Sequence, residues 1–174
     1  MSSWPTIIST IIVTVAFAVF AVLSVVLAEI DARTHRIPNR LVLPGYLVAI
    51  ALFVAACLVG APWVTLLRAA VAMVALFGFY LALRLLSRSA MGGGDVKLAG
   101  LIGLHLGWLG WTELAVGAIA AFVLGGLYAV VLLASGRAGR RTRIPFGPWM
   151  LAGAWVGILL GTALILGIPP AQTA

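Results

Sequence analysis

Long apolar runs, interrupted by very few charges, constrain this chain more than any other feature. Residues 1–28 contain no charged side chain, and the 174 residues include only four acids against eleven lysines and arginines. Charged residues make up 9% of the chain, whereas a water-soluble domain carries about 25%. A surface that faces water on all sides cannot be built from this composition. The sequence therefore predicts an integral membrane protein with a single domain over residues 1–174.

Six apolar segments have the length, or nearly the length, of about 20 residues that a helix needs to cross a bilayer. They lie at about 5–28, 42–60, 62–86, 96–111, 113–134 and 148–168, and the fourth is short and rich in glycine. The sequence lacks the period-two alternation of a membrane β-barrel, and only helices and closed barrels satisfy every backbone group in lipid. The predicted fold is all-α, a polytopic bundle of six transmembrane helices.

The basic residues fall in alternate connections between these segments. Ten of the eleven lie in three connections, whereas the links near residues 60–63 and 110–112 contain none. Because cytoplasmic loops are enriched in lysine and arginine, these three connections are predicted to be cytoplasmic and both termini extracytoplasmic. The positive charge is thus attributed to orientation and, at 137–143, to contact with anionic membrane lipid, and no nucleic acid partner is predicted. The ten residues are Arg33, Arg36, Arg40, Arg84, Arg88, Lys97, Arg137, Arg140, Arg141 and Arg143.

The chain has two aspartates, and each lies next to a predicted membrane boundary on the cytoplasmic side. Asp31 ends the first helix and Asp95 opens the fourth. Because helix 4 begins on the side where helix 1 ends, the two carboxylates can meet at one depth. Two close carboxyls share one proton, since like charges cannot both ionise at short range. That state suits amide hydrolysis, in which the ionised group takes a proton from water while the protonated group polarises the carbonyl.

Three glycines at 92–94 precede Asp95, and they are expected to adopt unusual backbone dihedrals and to let a substrate strand approach closely. Two structural explanations of the aspartates stay open. Asp95 can cap helix 4 by accepting hydrogen bonds from free amides, and Asp31 can form an ion pair with Arg33 or Arg36. A third alternative is a small transporter in which the two acids carry protons or cations across the membrane.

The segments around the aspartates resemble those of the type IV prepilin peptidases and preflagellin peptidases, which are membrane aspartic proteases with a Gly-x-Gly-Asp motif. Residues 92–95 match that motif, and residues 96–98 continue it. Asp31 with the following Pro-Asn pair is similar to the family's first catalytic segment, and residues 144–148 resemble a third shared segment. The resemblance implies a six-helix fold of the Gly-x-Gly-Asp type with Asp31 and Asp95 as the catalytic pair. The supporting residues of these motifs are Gly92, Gly93, Gly94, Lys97, Pro38, Asn39, Pro145, Gly147 and Pro148.

The resemblance also implies a reaction and a place. The substrate is expected to be a prepilin-like or pseudopilin-like precursor of the type IV, Flp or archaellin kind. Its short basic leader is expected to be cleaved at the cytoplasmic boundary of the cell membrane, without a metal or an organic cofactor. Long members of the family carry an additional cytoplasmic region, often with cysteine pairs, that is associated with N-methylation of the new terminus. This chain has a short N-terminal stretch and one cysteine, Cys57, so N-methyltransferase activity is not expected.

Four other polar residues need an interpretation. Lys97 either lowers the pKa of the neighbouring Asp95 carboxyl or meets an acidic group on the substrate, or else it is only a topology charge. Glu29 lies about 200° around the first helix from Asp31 and is predicted to face elsewhere. The two histidines, at 35 and 105, have no carboxylate or cysteine neighbours in the sequence and are predicted to be structural rather than metal ligands.

Overall fold

A computed structural model describes residues 4–86, 91–136 and 145–161 of the chain. These residues form six α-helices and no β-strand, which confirms the predicted all-α fold and the number of helices. The last helix continues into a single π-helical turn, Gly157–Gly161. The helices are α1 (Trp4–Thr34), α2 (Asn39–Val59), α3 (Trp63–Leu86), α4 (Gly93–Leu109), α5 (Trp111–Ala134) and α6 (Gly147–Val156). Arg88, the basic cluster 137–143 and the predicted end of the last helix at 168 lie outside the described residues.

Four of the described helices, α1, α2, α3 and α5, are long and apolar enough to cross a membrane. α1 has 31 residues, which corresponds to a length of about 46 Å. The hydrocarbon core of a bilayer is about 30 Å thick, so one or both ends of α1 extend beyond it. α4 has only 17 residues, and the described part of α6 is shorter than a full span.

Two helices differ from the sequence prediction at the aspartates. α1 continues to Thr34 instead of ending near residue 28, so Asp31 lies inside the helix. α4 begins at Gly93 instead of residue 96, so Asp95 lies in its first turn. The charged stretch after residue 28 made the first helix look shorter than it is, because charges on an exposed helical face do not end a helix.

The turn between α1 and α2 is short and tightly defined. His35 has a left-handed backbone (φ 51°), the only such non-glycine residue in the described part of the chain. Its N–H donates to the carbonyl of Asp31, 2.8 Å away, which closes the last turn of α1. Pro38 then adopts an extended conformation immediately before α2. The turn therefore carries residues 36–38 back across the end of the bundle.

α4 lies in the centre of the bundle, and most of its side chains are buried. It packs along α3 at close range, because a Cβ atom on Gly103 would lie only 2.6 Å from the carbonyl oxygen of Ala72. A Cβ on Gly107 would overlap the side chain of the same alanine. The glycines that make α4 an atypical membrane segment are therefore required by the close approach of the two helices.

Arg68 is the one basic residue outside the predicted loops, and it closes the C-terminal end of α4. Its Nε donates to the carbonyl of Gly107 (2.8 Å), and its Nη2 donates to those of Trp108 (2.6 Å) and Leu109 (2.9 Å). The last carbonyls of a helix have no partner within the helix and carry partial negative charge. The guanidinium satisfies three of them, which lets α4 end against α3.

Glycines also set the contact between α6 and α5. Gly153 and Gly157 face α5 so closely that an added Cβ would lie 2.5 Å from the backbone nitrogen of Ala121 or from the carbonyl oxygen of Glu113, respectively. Gly161 meets the side chain of Glu113 in the same way. This contact holds α6 in position, and its first residue, Gly147, then lies beside the end of α1.

Candidate active site

Asp31 is buried near the end of α1, with 4% of its surface exposed. Its Oδ2 accepts a hydrogen bond from the backbone N–H of Gly147, 3.0 Å away. Among the described residues no ion pair joins Asp31 to Arg33 or Arg36. Arg33 pairs instead with Glu29 on the exposed face of α1, which confirms that Glu29 points away from Asp31. The ion-pair explanation of Asp31 is therefore wrong, and a backbone amide is its partner.

Asp95 is the third residue of α4 and is 9% exposed. Its Oδ2 accepts the backbone N–H of Gly92, 3.0 Å away, so the carboxylate does bind a free amide at the helix start. Burial raises the pKa of Asp95 to about 6, and the negative charge of Asp31 adds to that effect. The Gly92 hydrogen bond and the positive charge of Arg84 act in the opposite direction. Asp95 therefore does cap α4, as the capping explanation predicts. Its carboxyl can nevertheless be protonated near neutral pH.

The elements that carry the two aspartates meet around Ile37, in the turn after α1. The Cβ of Ile37 lies 2.8 Å from the position that a Cβ on Gly94 would take, and its Cδ1 lies 3.1 Å from the corresponding position on Gly147. The latter position is only 2.6 Å from Oδ2 of Asp31. The start of α4, the start of α6 and the end of α1 therefore converge at one end of the bundle, where Asp31 and Asp95 interact electrostatically.

The glycines of the motif do not have the unusual backbone that was expected of them. Gly92 is extended (φ −74°, ψ 154°), and Gly93 and Gly94 are the first residues of α4 without a positive φ. The reason for glycine at these two helical positions is space. Ile37 occupies the volume beside Gly94, and the guanidinium of Arg84 occupies the volume that a side chain at Gly93 would need.

Two of the supporting residues contact each other instead of the aspartates. The ammonium of Lys97 donates to Oδ1 of Asn39 (2.9 Å), and the carbonyl of Lys97 accepts the hydroxyl of Tyr46 (2.7 Å). Among the described residues, the cation that interacts electrostatically with Asp95 is Arg84 and not Lys97. Lys97 thus links α4 to α2, and its contact with a substrate stays a prediction.

The prolines of the motifs border helices. Pro38 is the residue before α2, and Pro148 lies in the first turn of α6, where its missing N–H leaves no helical hydrogen bond unmade. Pro145 lies two residues before α6 begins. All three therefore lie where the backbone enters a helix next to the site.

Sequence reasoning missed three residues around the aspartates. Tyr80 and Arg84 lie one turn apart on α3, and both interact electrostatically with Asp95. His35, in the turn after α1, interacts in the same way with Asp31. The spacing of four residues between Tyr80 and Arg84 was a usable signal, since residues at that spacing share a helix face. In the described part of the chain no three His, Cys, Asp or Glu side chains lie together in a way that could hold a metal ion. That the protein works without a metal stays a prediction.

The sequence model of the type IV leader peptidase family matches residues 6–130, which is more than half of the chain. The chain belongs to this family. The match includes both aspartates and the glycines before Asp95, whereas residues 145–148 lie beyond it. The membership makes the end of the bundle where Asp31 and Asp95 meet the candidate active site of a type IV leader peptidase family member.

Relatives in the type IV leader peptidase family carry the name prepilin leader peptidase/N-methyltransferase. The protein of Stutzerimonas stutzeri is 33% identical over 141 residues, which cover 78% of this chain and 46% of that protein. The corresponding protein of Dickeya chrysanthemi is 34% identical over 145 residues (78% and 47%), and that of Bacillus subtilis (strain 168) is 29% identical over 147 residues (84% and 56%). The chain thus spans about half the length of the curated relatives it matches. No solved structure matches it.

Proposed function

We propose that this chain is a membrane aspartic endopeptidase that removes the basic leader from a prepilin-like precursor at the cytoplasmic boundary of the cell membrane. The observation that carries the proposal is the convergence, at one end of the bundle, of the helix ends that carry two buried carboxyls, Asp31 and Asp95, in a member of the type IV leader peptidase family. The transport alternative is not favoured, because the family and the named relatives are peptidases.

The two carboxyls are held in a way that suits acid–base chemistry through water. Each one is fixed by a backbone N–H donor to its Oδ2, from Gly147 for Asp31 and from Gly92 for Asp95. In the proposed reaction the ionised carboxylate takes a proton from a water molecule as the water oxygen attacks the scissile carbonyl carbon. The protonated carboxyl donates its proton to the carbonyl oxygen, which gives a tetrahedral diol. As the diol collapses and the C–N bond breaks, the carboxyl that took the proton from water gives it to the amine nitrogen, and the other carboxylate takes a proton from a diol hydroxyl, so the pair again holds one proton. No bond forms between enzyme and substrate.

The reaction requires the pair of carboxyls to hold one proton between them. Burial raises the pKa of Asp95 to about 6, so the pair retains a proton at a pH where an exposed aspartate has lost it. The proton belongs to the pair and is not assigned to one residue, because interacting carboxyls titrate together. The pair is therefore suited to act near neutral pH, as a peptidase on the cytoplasmic side requires.

The position of the site also fits the proposed substrate. Asp31 lies in the last turn of a helix long enough to extend past the hydrocarbon core. A precursor with an apolar helix and a basic leader would place that helix among the lipids and its leader at the membrane surface. The sequence-based orientation puts this surface in the cytoplasm. Precursors of type IV, Flp and archaellin type and pseudopilins all have this arrangement, and all are candidate substrates.

The test is co-expression of the full chain with pilin-like precursors of its host and analysis of leader removal by gel shift. Asp31→Asn and Asp95→Asn are each expected to lower the cleavage rate by about 10²–10⁴-fold, while the protein still inserts into the membrane. Glu29→Gln is the matched control, because Glu29 is an acid on α1 that is exposed and paired with Arg33. Full cleavage by either aspartate variant contradicts the proposal, as does a wild-type chain that leaves every precursor uncut.

The same products decide whether the chain also methylates. The relatives are named for both activities, and the sequence predicts cleavage alone. After cleavage in the presence of S-adenosylmethionine, the mass of the new N-terminal peptide is expected to show no added methyl group. A gain of one methyl group by the product of the purified chain would refute this prediction and leave the peptidase assignment intact.

A further inference from the structure

Arg84 occupies an electrostatically unusual place. Its guanidinium lies over Gly93, the first residue of α4, with Cζ 2.9 Å and Nη2 3.2 Å from the position that a Cβ there would take. The N-terminus of a helix carries partial positive charge and repels cations. Arg68, by contrast, binds the C-terminal carbonyls of the same helix, where a cation is favoured. The positive charge of Arg84 at this helix end is offset by the negative charge of Asp95, with which it interacts electrostatically.

The other groups around Asp95 do not supply the positive charge that Arg84 supplies. Asp31 faces it from α1, and Tyr80 and Arg84 face it from α3. On α4 itself, the ammonium of Lys97 is held by a side-chain amide of α2. Within residues 4–86, 91–136 and 145–161, Arg84 is therefore the cation that acts on Asp95.

We propose that Arg84 is a positioning residue of the carboxyl pair: its guanidinium, admitted to the start of α4 by the missing side chain at Gly93, places a positive charge near Asp95 and balances the negative charge of that carboxylate. The inference deepens the proposed function, on which its catalytic meaning rests. It gives a specific reason for glycine at the variable position of the Gly-x-Gly-Asp motif in this chain. A side chain at that position would overlap the guanidinium, whose atoms are the nearest to it.

The first test compares pH profiles of leader cleavage. Arg84→Gln removes the cation and is expected to move both limbs of the kcat/KM profile to higher pH by roughly one unit, because an opposite charge favours the ionised carboxyl. Gly93→Ala is expected to do the same by displacing the guanidinium. Arg84→Lys keeps the charge and is expected to restore most of the wild-type profile. Gly78→Ala, on the same helix as Arg84 and with open space around it, is the matched control.

A double variant distinguishes an effect through the guanidinium from a general loss of structure. If both single changes act through the guanidinium, Arg84→Gln combined with Gly93→Ala is expected to shift the profile no further than Arg84→Gln alone. Additive shifts would show that Gly93 acts independently and would overturn its link to Arg84. A wild-type profile in Arg84→Gln would overturn the whole inference, whatever its maximal rate.

A second measurement needs no substrate and covers variants with no measurable cleavage. A hydrophobic carbodiimide reacts with protonated carboxyls, and mass spectrometry of the full chain in lipid vesicles follows its reaction with Asp95 against pH. The midpoint is expected to lie at higher pH in Arg84→Gln and Gly93→Ala than in the wild type and Gly78→Ala. A shifted midpoint in a chain that cuts no precursor would refute the proposed function alone. Normal cleavage with unshifted midpoints would refute the role of Arg84 alone.

Discussion

Gly147 shows how narrowly single residues define the position of Asp31. Its N–H donates to Oδ2 of Asp31, and a methyl group in place of its hydrogen would lie 2.6 Å from that oxygen and 3.1 Å from the carboxyl carbon. Both distances are shorter than van der Waals contact, so the side chain of Asp31 must move. The same methyl group would press on Ile37, which separates α4 from α6.

Gly147→Ala is therefore expected to lower the cleavage rate by about 100-fold, because a displacement of a reacting group by about 1 Å has an effect of this size. The substrate affinity should change less than the rate, since the substitution lies at the reacting carboxyl. Single-turnover cleavage of a precursor in detergent or vesicles measures both. Gly126→Ala, a helical glycine with open space around it, serves as control and is expected to cleave normally. Normal cleavage by Gly147→Ala would show that Asp31 tolerates the displacement.

At this scale the sequence predicted the two aspartates but not their partners. Asp31 and Asp95 stand out because acids are so rare in the chain and because both lie at the same predicted boundary. Their spacing places Tyr80 and Arg84 on one face of α3, but the sequence does not show that this face turns toward α4, because that direction depends on packing. The contact between Lys97 and Asn39 joins residues 58 positions apart, and no local pattern indicates it.

Among the elements, α4 depends most on its neighbours. It is short, rich in glycine and buried, so its stability comes from packing against α3 and from the interactions at its two ends. At its C-terminal end these are the three hydrogen bonds donated by Arg68. Hydropathy could not reveal the central position of α4, because a helix surrounded by protein and a helix surrounded by lipid are equally apolar.

Arg68→Met keeps an unbranched apolar side chain but removes every hydrogen-bond donor. Hydrogen bonds from a charged group contribute about 1.5–3 kcal/mol each, so the loss of even two of the three is expected to lower the free energy of unfolding by at least about 3 kcal/mol. For a chain of this size that loss lowers the Tm by about 6–12 °C, measured by thermal unfolding in detergent. Leu67→Ala, at an exposed position next to it, is the control and should change the Tm little. An unchanged Tm in Arg68→Met would mean that water molecules hydrogen-bond to the three carbonyls in place of the guanidinium.

For the whole molecule, the sequence predicted the number of helices and the end of the bundle where the aspartates lie. The ends of α1, α4 and α6 that carry Asp31, Asp95 and Gly147 do converge. The cytoplasmic location of these helix ends stays a prediction from the basic loops, and so does the extracytoplasmic location of both termini. This orientation can be tested by cysteine labelling, because the chain has a single cysteine, Cys57, which is buried and can be replaced.

Labelling of single cysteines in intact cells tests the orientation. In a Cys57→Ala background, Arg33→Cys marks the exposed end of α1 near the aspartates, and Trp63→Cys marks the exposed start of α3. A maleimide that cannot cross the membrane is expected to label Trp63→Cys in intact cells and Arg33→Cys only after lysis. Reporter fusions at Ser2 and Ala174 are expected to be extracytoplasmic. Labelling of Arg33→Cys in intact cells would place the aspartates outside and contradict the proposed cytoplasmic cleavage.

The bond between Arg68 and the end of α4 also bears on how the chain is made. The carbonyls that Arg68 binds lie 39 to 41 residues further along the chain, so the ribosome adds them well after the arginine. Until then α3 contains a charge that hydrocarbon does not tolerate. We expect the first turns of the newly synthesised α3 to stay at the membrane surface. α3 is expected to insert to its final depth only after α4 has been synthesised. The two helices would then enter the bilayer interior as one hairpin, and a nascent chain stopped before Gly107 would be a substrate for quality-control proteases.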